Sequence, residues 1–236
     1  MAVFTAESAR ANVRVRDGKR VFYLAEGDHL TPSARDWLRR DGVEILPARA
    51  AKPNGYRTLT GAVYAEKPEH MTHLAGDVLV EKTHPRIAFR GGIDALEAAL
   101  LLAGREARAA GAGETEQALE EVLTLVRRLI RCDVLEEPLP EFTLGGLTAL
   151  ELRQHSHFPQ KYYDQPHFMP DFGDSCLLLT LNQARTQARW AELLACRAFR
   201  DSEGRVTRPD LIQALNRVSS LLWILMIRRR KEERAG

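Results

Sequence analysis

Four polar residues recur along one apolar, helix-forming stretch: Asn182, Arg185, Arg189 and Glu192, at steps of three, four and three. On an α-helix that spacing puts all four on one face. The planar fork of arginine suits phosphate and carboxylate oxygens, so two arginines in register could grip a polyphosphate. The same spacing also fits a solvated face with an Arg189–Glu192 pair worth roughly 0.2–0.5 kcal/mol. A second cluster, Asn216, Arg217, Ser219 and Ser220, interrupts another apolar run. Asn and Ser disfavour helix interiors, so the cluster suggests a polar pocket; a buried hydrogen-bonded pair between helices is the alternative. Asp94 is the only acid between Glu81 and Glu97 and follows Gly91-Gly92-Ile93. It could pair with an arginine from another helix, or simply occupy the favourable first turns of its own.

The elements that must hold these residues change character near residue 80. Before it, Val21–Leu24 and Val43–Leu46 read as strands. Between them, Thr31 as N-cap, Pro32 in the first turn and Asp41-Gly42 at the end bound a helix. Residues 1–48 are expected as a small β/α unit. Residues 49–70 contain Pro53-Asn54-Gly55 and no helical period, which predicts a loop or linker, and 49–84 is read as a linker with a phosphate-binding loop. From Pro85 on, the period is helical: about 85–109, 114–132, 147–156, 174–200 and 208–232, with Pro-rich breaks near 138–140 and 162–171. The apolar stripes are Leu177, Leu181, Ala184, Ala188, Ala191 and Ala195 on one helix, and Leu211, Leu215, Val218, Leu222 and Leu225 on the last. The expected fold is mainly α: an up-and-down bundle of about five helices, ferritin-like, over 85–236, preceded by the small β/α unit.

Composition sets limits on function. The 236 residues hold 34 Lys+Arg against 32 Asp+Glu, a formal charge of +2 without the concentrated basic excess of a nucleic-acid binder. Arg228-Arg229-Arg230-Lys231 is expected to end its helix in solvent, complementing the negative pole. The opening residues lack a basic segment followed by an apolar run, so no secretory leader is expected. The longest apolar run, Leu221–Ile227, falls short of the ~20 residues of a membrane helix. Cys132, Cys176 and Cys196 are scattered and read as reduced core thiols in a cytoplasmic protein. No catalytic Ser/His/Asp or Cys/His arrangement is visible.

Three segments together resemble a known family. Lys82-Thr83-His84-Pro85-Arg86-Ile87, continuing to Gly92-Ile93-Asp94-Ala95-Leu96, is similar to the opening of PduO-type cobalamin adenosyltransferases. Leu181-Asn182-Gln183-Ala184-Arg185-Thr186 through Glu192 resembles their arginine helix, and Leu215-Asn216-Arg217-Val218-Ser219-Ser220 their "Leu-Asn-Arg-Leu-Ser" helix. The rest resembles the ethanolamine-utilization (EutT) branch, through Leu30–Arg35, Lys67-Pro68, Met71-Thr72-His73-Leu74, Arg131-Cys132-Asp133 and Arg208-Pro209-Asp210.

The resemblance implies transfer of the 5′-deoxyadenosyl group of ATP to the cobalt of reduced cobalamin, with Mg²⁺ assisting the triphosphate. It makes Asp94 and Arg185 an acid–arginine pair shaping a site between subunits. Arg189 and Asn216 hold ATP, with Glu192 and Arg217 in the same motifs. Lys67, Thr72 and Lys82 grip the triphosphate, and Phe168 sits against the corrin and helps expel its lower ligand. It also implies a homo-oligomer, a trimer in PduO-type relatives, working with a cobalamin-dependent lyase or a reductase, in the cytoplasm or with a bacterial microcompartment. Neither nucleic acid nor membrane is expected as a partner.

Two departures stand out. Lys67-Pro68-Glu69-His70-Met71-Thr72 replaces the family's glycine-rich loop, and residues 49–66 lack the Cys and His of the metal cluster found in many EutT-type enzymes. No metal cluster is therefore expected, and His70, His73 and His84 are read as surface histidines. The missing loop also supports an alternative: a non-catalytic helical module that binds or delivers a corrinoid, or docks partner enzymes.

Overall fold

A computed structural model describes residues 3–16, 19–47 and 55–235. The chain divides into two compact units, the first running to Glu69 and including Gly76–Leu79, the second comprising His70–Ala75 and everything from Val80 on.

In the first unit, helix α1 (Ala6–Ala11) starts at Thr5, whose hydroxyl accepts from the Ser8 N–H while the Ser8 hydroxyl accepts from the Thr5 N–H. Nothing in the periodicity announces so short a helix; its signal is the cap alone. Helix α2 (Pro32–Arg40) is capped by Thr31 as expected, and Gly42 leaves it in a left-handed conformation. Strand Lys19–Leu24 pairs parallel with Glu44–Pro47 and antiparallel with Arg14–Arg16. Phe22, Trp37 and Leu38 are the large side chains of this small core. Tyr56–Thr58 pairs with Val63–Tyr64 and with Val78–Leu79, so strands occupy a stretch where a linker was expected. Pro53 and Asn54 of that expected loop lie outside the described residues.

The second unit is helical. Strand Met71–Ala75 leads to α3 (Pro85–Ala109), α4 (Gly113–Leu135), α5 (Ala149–His157), α6 (Pro159–Tyr163), α7 (Cys176–Ala198) and α8 (Pro209–Ala235). Helix α6 was not expected; it lies between the expected end of the preceding helix near 156 and the Pro-rich break from about 162. Helix α3 packs against α4 and α7, and α7 against α8. Both apolar stripes are buried throughout. At the α3–α7 crossing a Cβ on Gly92 would stand 2.6 Å from Leu194 Cδ1 and 3.5 Å from Ala191 Cα, so glycine and alanine set the helix spacing there. Fully buried Asp133 on α4 accepts from Arg86 Nε (2.9 Å) and Arg90 Nε (2.7 Å). Arg90 also donates to the carbonyls of His73 and Leu74, which ties the 71–75 strand to the bundle.

Helix α8 is long and apolar enough to cross a membrane by length and composition, more than its longest unbroken apolar run suggested. Yet 67% of its most apolar window is buried inside the unit, and that burial accounts for its hydropathy. The basic run at its end does not simply meet solvent. Arg230 pairs with Asp174 and lies over Phe168, Arg228 lies over Tyr163, and Lys231 Nζ donates to the Tyr163 carbonyl at 3.0 Å. The expectation of a solvated helix end fails because segment 163–174 folds back along α8. Cys132 alone of the three thiols is buried, and burial raises its pKa; Cys176 is exposed. His84 is half-buried and caps α3, accepting from the Arg86 N–H, so it is no ordinary surface histidine.

Candidate functional site

An open cleft of about 590 Å³ lies between α7, α8, the end of α5 and segment 167–170. Its polar wall comes from the two clusters singled out in the sequence. Helix α7 contributes Asn182, Arg185 and Arg189, one per turn, because their stripe borders the buried alanine stripe that packs on α3 and α8. Helix α8 contributes Asn216, Ser219, Ser220 and Trp223, which recur at three- and four-residue steps.

Aromatic rings gather around Trp223 in the same cleft. The Phe168 ring lies against Trp223, centroids 5.1 Å apart and planes within 25°. His167 stacks on the same indole at 5.8 Å and 11°, and its Nε2 lies 3.3 Å from the His157 carbonyl oxygen. Proline-rich segment 164–174 has no regular structure to hold Phe168. It is held instead by Arg230, whose guanidinium sits 4.6 Å above the Phe168 ring and pairs with Asp174.

Among the described residues no carboxylate pairs with the arginines of the cleft. Arg185 is half-buried; its Nε and Nη2 both donate to Asn182 Oδ1, at 3.2 and 2.8 Å, and its plane lies over Trp223. Burial, then the nearby charge of Arg189, depress the Arg185 pKa. Arg189 is exposed and has no ion pair among the described residues; Glu192 turns instead to Asn216, accepting from its Nδ2 at 2.9 Å. Asn216 Oδ1 in turn accepts from Arg217 Nη1 at 2.7 Å. Arg217 is buried behind the wall with its Nε unpartnered, and desolvation, then the charge of Arg153, lower its pKa. A desolvated cation facing an open cleft, as Arg185 does, attracts an anionic ligand.

Of the residues expected at a site, Phe168, Arg185, Arg189 and Asn216 line this cleft, and Glu192 and Arg217 stand directly behind it. Asp94 is exposed on α3, does not line the cleft and has no ion-pair partner among the described residues. Half-buried Thr72 and exposed Lys82 also lie elsewhere in the second unit, and Lys67 belongs to the first. Among the described residues no three His, Cys, Asp or Glu side chains come together as a metal site. Sequence reasoning missed Trp223 and His167. Trp223 was within reach, because it continues the Asn216–Ser219–Ser220 face by one step; His167 had no periodic signal.

A family model described as cobalamin adenosyltransferase matches residues 63–229. The corrinoid adenosyltransferase EutT of Salmonella typhimurium is 30% identical over 92% of the chain and 88% of its own length. The protein of the same name from Escherichia coli K12 is 29% identical with the same coverage.

Proposed function

The chain belongs to the cobalamin adenosyltransferase family, and from that premise we propose that its cleft joins the 5′-deoxyadenosyl group of ATP to the cobalt of a reduced cobalamin. It is an ATP:corrinoid adenosyltransferase; the products in this reading are adenosylcobalamin and triphosphate, made for ethanolamine utilization. The observation that carries the proposal is the pairing of two uncompensated arginines, Arg185 and Arg189, with the Trp223–Phe168 wall in one cleft. A polyanion and a flat apolar macrocycle are the two things the reaction must hold.

The chemistry asks for no general base. Cobalt(I) supplies an electron pair to C5′ of ATP; the C5′–O bond breaks and its electrons leave with the triphosphate. What the protein must supply is alignment and charge compensation for the leaving group. Arg189 and Asn216 would hold ATP, with Lys67, Thr72 and Lys82 contributing to the triphosphate. Mg²⁺ would arrive with the triphosphate. Phe168 would act as the apolar wedge that displaces the lower axial ligand, so that cobalt becomes easier to reduce. Asp94, exposed and without an ion pair among the described residues, would reach Arg185 of a neighbouring copy, which makes a homo-oligomer, a trimer by resemblance, the working form.

The test is a single turnover: purified protein, ATP and chemically reduced cobalamin, followed by the absorbance of the cobalt–carbon bond. Stoichiometric adenosylcobalamin and triphosphate are expected. Tight binding of both substrates without product would reassign the protein as a corrinoid-binding module.

A further inference from the structure

Several arginines of this bundle are held by carboxylates. Arg86 and Arg90 share Asp133, Arg208 pairs with Asp210, Arg229 with Glu233, and Arg230 with Asp174. Each of these is paired with a carboxylate, most of them across elements. The two desolvated arginines at the cleft are different. Arg217 is held by the Asn216 amide oxygen, and Arg185 by the Asn182 amide oxygen.

The Asn182–Arg185 contact fixes direction as well as position. One oxygen receives both Nε and Nη2, so the fork is engaged along one edge, while the guanidinium carbon lies over the Trp223 ring, 5.6 Å from its centroid. No carboxylate pairs with Arg185 among the described residues; Glu192 accepts from Asn216 and Asp174 pairs with Arg230. An amide oxygen accepts hydrogen bonds without a full negative charge, so the geometry is set and the charge survives.

We propose that Asn182 is a positioning residue, holding the Arg185 fork in place while leaving its positive charge for an incoming oxyanion. The role rests on the adenosyltransferase reading above. The oxyanion is a phosphate of ATP or the carboxylate of a second copy of this chain, and the two sources are separable by experiment.

Three proteins decide it: wild type, Asn182→Asp, which keeps an oxygen acceptor but adds a charge, and Asn182→Leu, which keeps the shape and removes the acceptor. Each is measured for binding of inorganic triphosphate, for mass in solution, for kcat and KM with ATP, and for melting temperature. Asn182→Asp is expected to lose roughly 10- to 100-fold in triphosphate affinity or in self-association. It should lose more than Asn182→Leu while melting no lower than that variant. Weaker triphosphate binding at unchanged mass identifies the phosphate; a loss of mass identifies the carboxylate. Wild-type-like binding, mass and kinetics in Asn182→Asp would overturn the assignment, as would equal losses in Asp and Leu. If Asn182→Asp does not fold, Asn182→Leu alone decides, and unchanged affinity and mass there overturn the role. A wild-type protein that binds triphosphate but transfers nothing fails the transferase reading while leaving the Asn182 comparison intact.

Discussion

Phe168 is clamped between an indole and a guanidinium: Trp223 stacks on it at 5.1 Å and Arg230 lies 4.6 Å above its ring. The ring thus has a defined place in the cleft although its segment has no regular structure. Phe168→Ala should bind ATP as wild type does but form four-coordinate cobalt(II) poorly, read by electron paramagnetic resonance. Trp223→Ala should share that defect, because the support is removed with the wedge retained. Undiminished four-coordinate cobalt(II) in Phe168→Ala would remove the wedge role.

Arg189 is exposed and makes no ion pair among the described residues, so its removal touches no packing. Arg189→Ala should leave stability within about 0.5 kcal/mol. Its ATP affinity should fall by about 1.5–3 kcal/mol, the scale of a charged hydrogen bond. Calorimetric titration checks both halves, and an unchanged dissociation constant places Arg189 outside the site.

If Asp94 of one copy meets Arg185 of another, two crippled proteins can repair each other. Asp94→Ala and Arg185→Ala, each inactive alone, should regain transferase activity when co-expressed as mixed oligomers. Activity no greater than the sum of the separate variants would show that the two residues do not share a site between copies.

Asp210 governs part of the acid stability. Burial pushes its carboxyl upward, but the hydrogen bonds from Arg208 and from the Leu139 N–H outweigh this and hold it below its ordinary value. A depressed carboxylate contributes stability above its unfolded pKa of about 3.9 and loses it as pH falls through the folded value. Asp210→Asn should therefore cost more stability at pH 7 than at pH 3 in urea melts. An equal cost at both pH values would show that the charge is not what stabilises the α4–α8 connection.

Gly92 sets the α3–α7 spacing. Gly92→Val would drive its side chain into Leu194 and should destabilise by about 1–3 kcal/mol. Leu194→Ala in the same protein should recover part of that loss, since the obstruction is the end of a side chain. A purely additive double variant would mean that the strain lies in the backbone near Ala191.

Much of this was legible from spacing alone. The ends of α3, the cap of α2 and both buried stripes follow from periods and capping chemistry that act within a few residues of one another. The polar cluster at Asn216, Ser219 and Ser220 marked a pocket because such residues are costly in an apolar helix unless something there uses them. Other features left no local trace. The capping box of α1 spans only four residues, and the strands between Tyr56 and Glu81 are two to five residues long, too short for a clear period, with Arg57 pairing as far away as Val78.

The sequence by itself determined that two arginines, an asparagine and a pair of serines would lie on helix faces beside packed stripes, because helix periodicity is a property of the nearby chain. Only the tertiary structure decided how their charges are balanced. Glu192 is three residues from Arg189, yet it bonds to Asn216 on another helix, and the basic end of α8 turns to Asp174, Tyr163 and Phe168 instead of to water. Helical spacing places side chains on a face; which neighbour each one meets depends on the helix or loop that packs across from it.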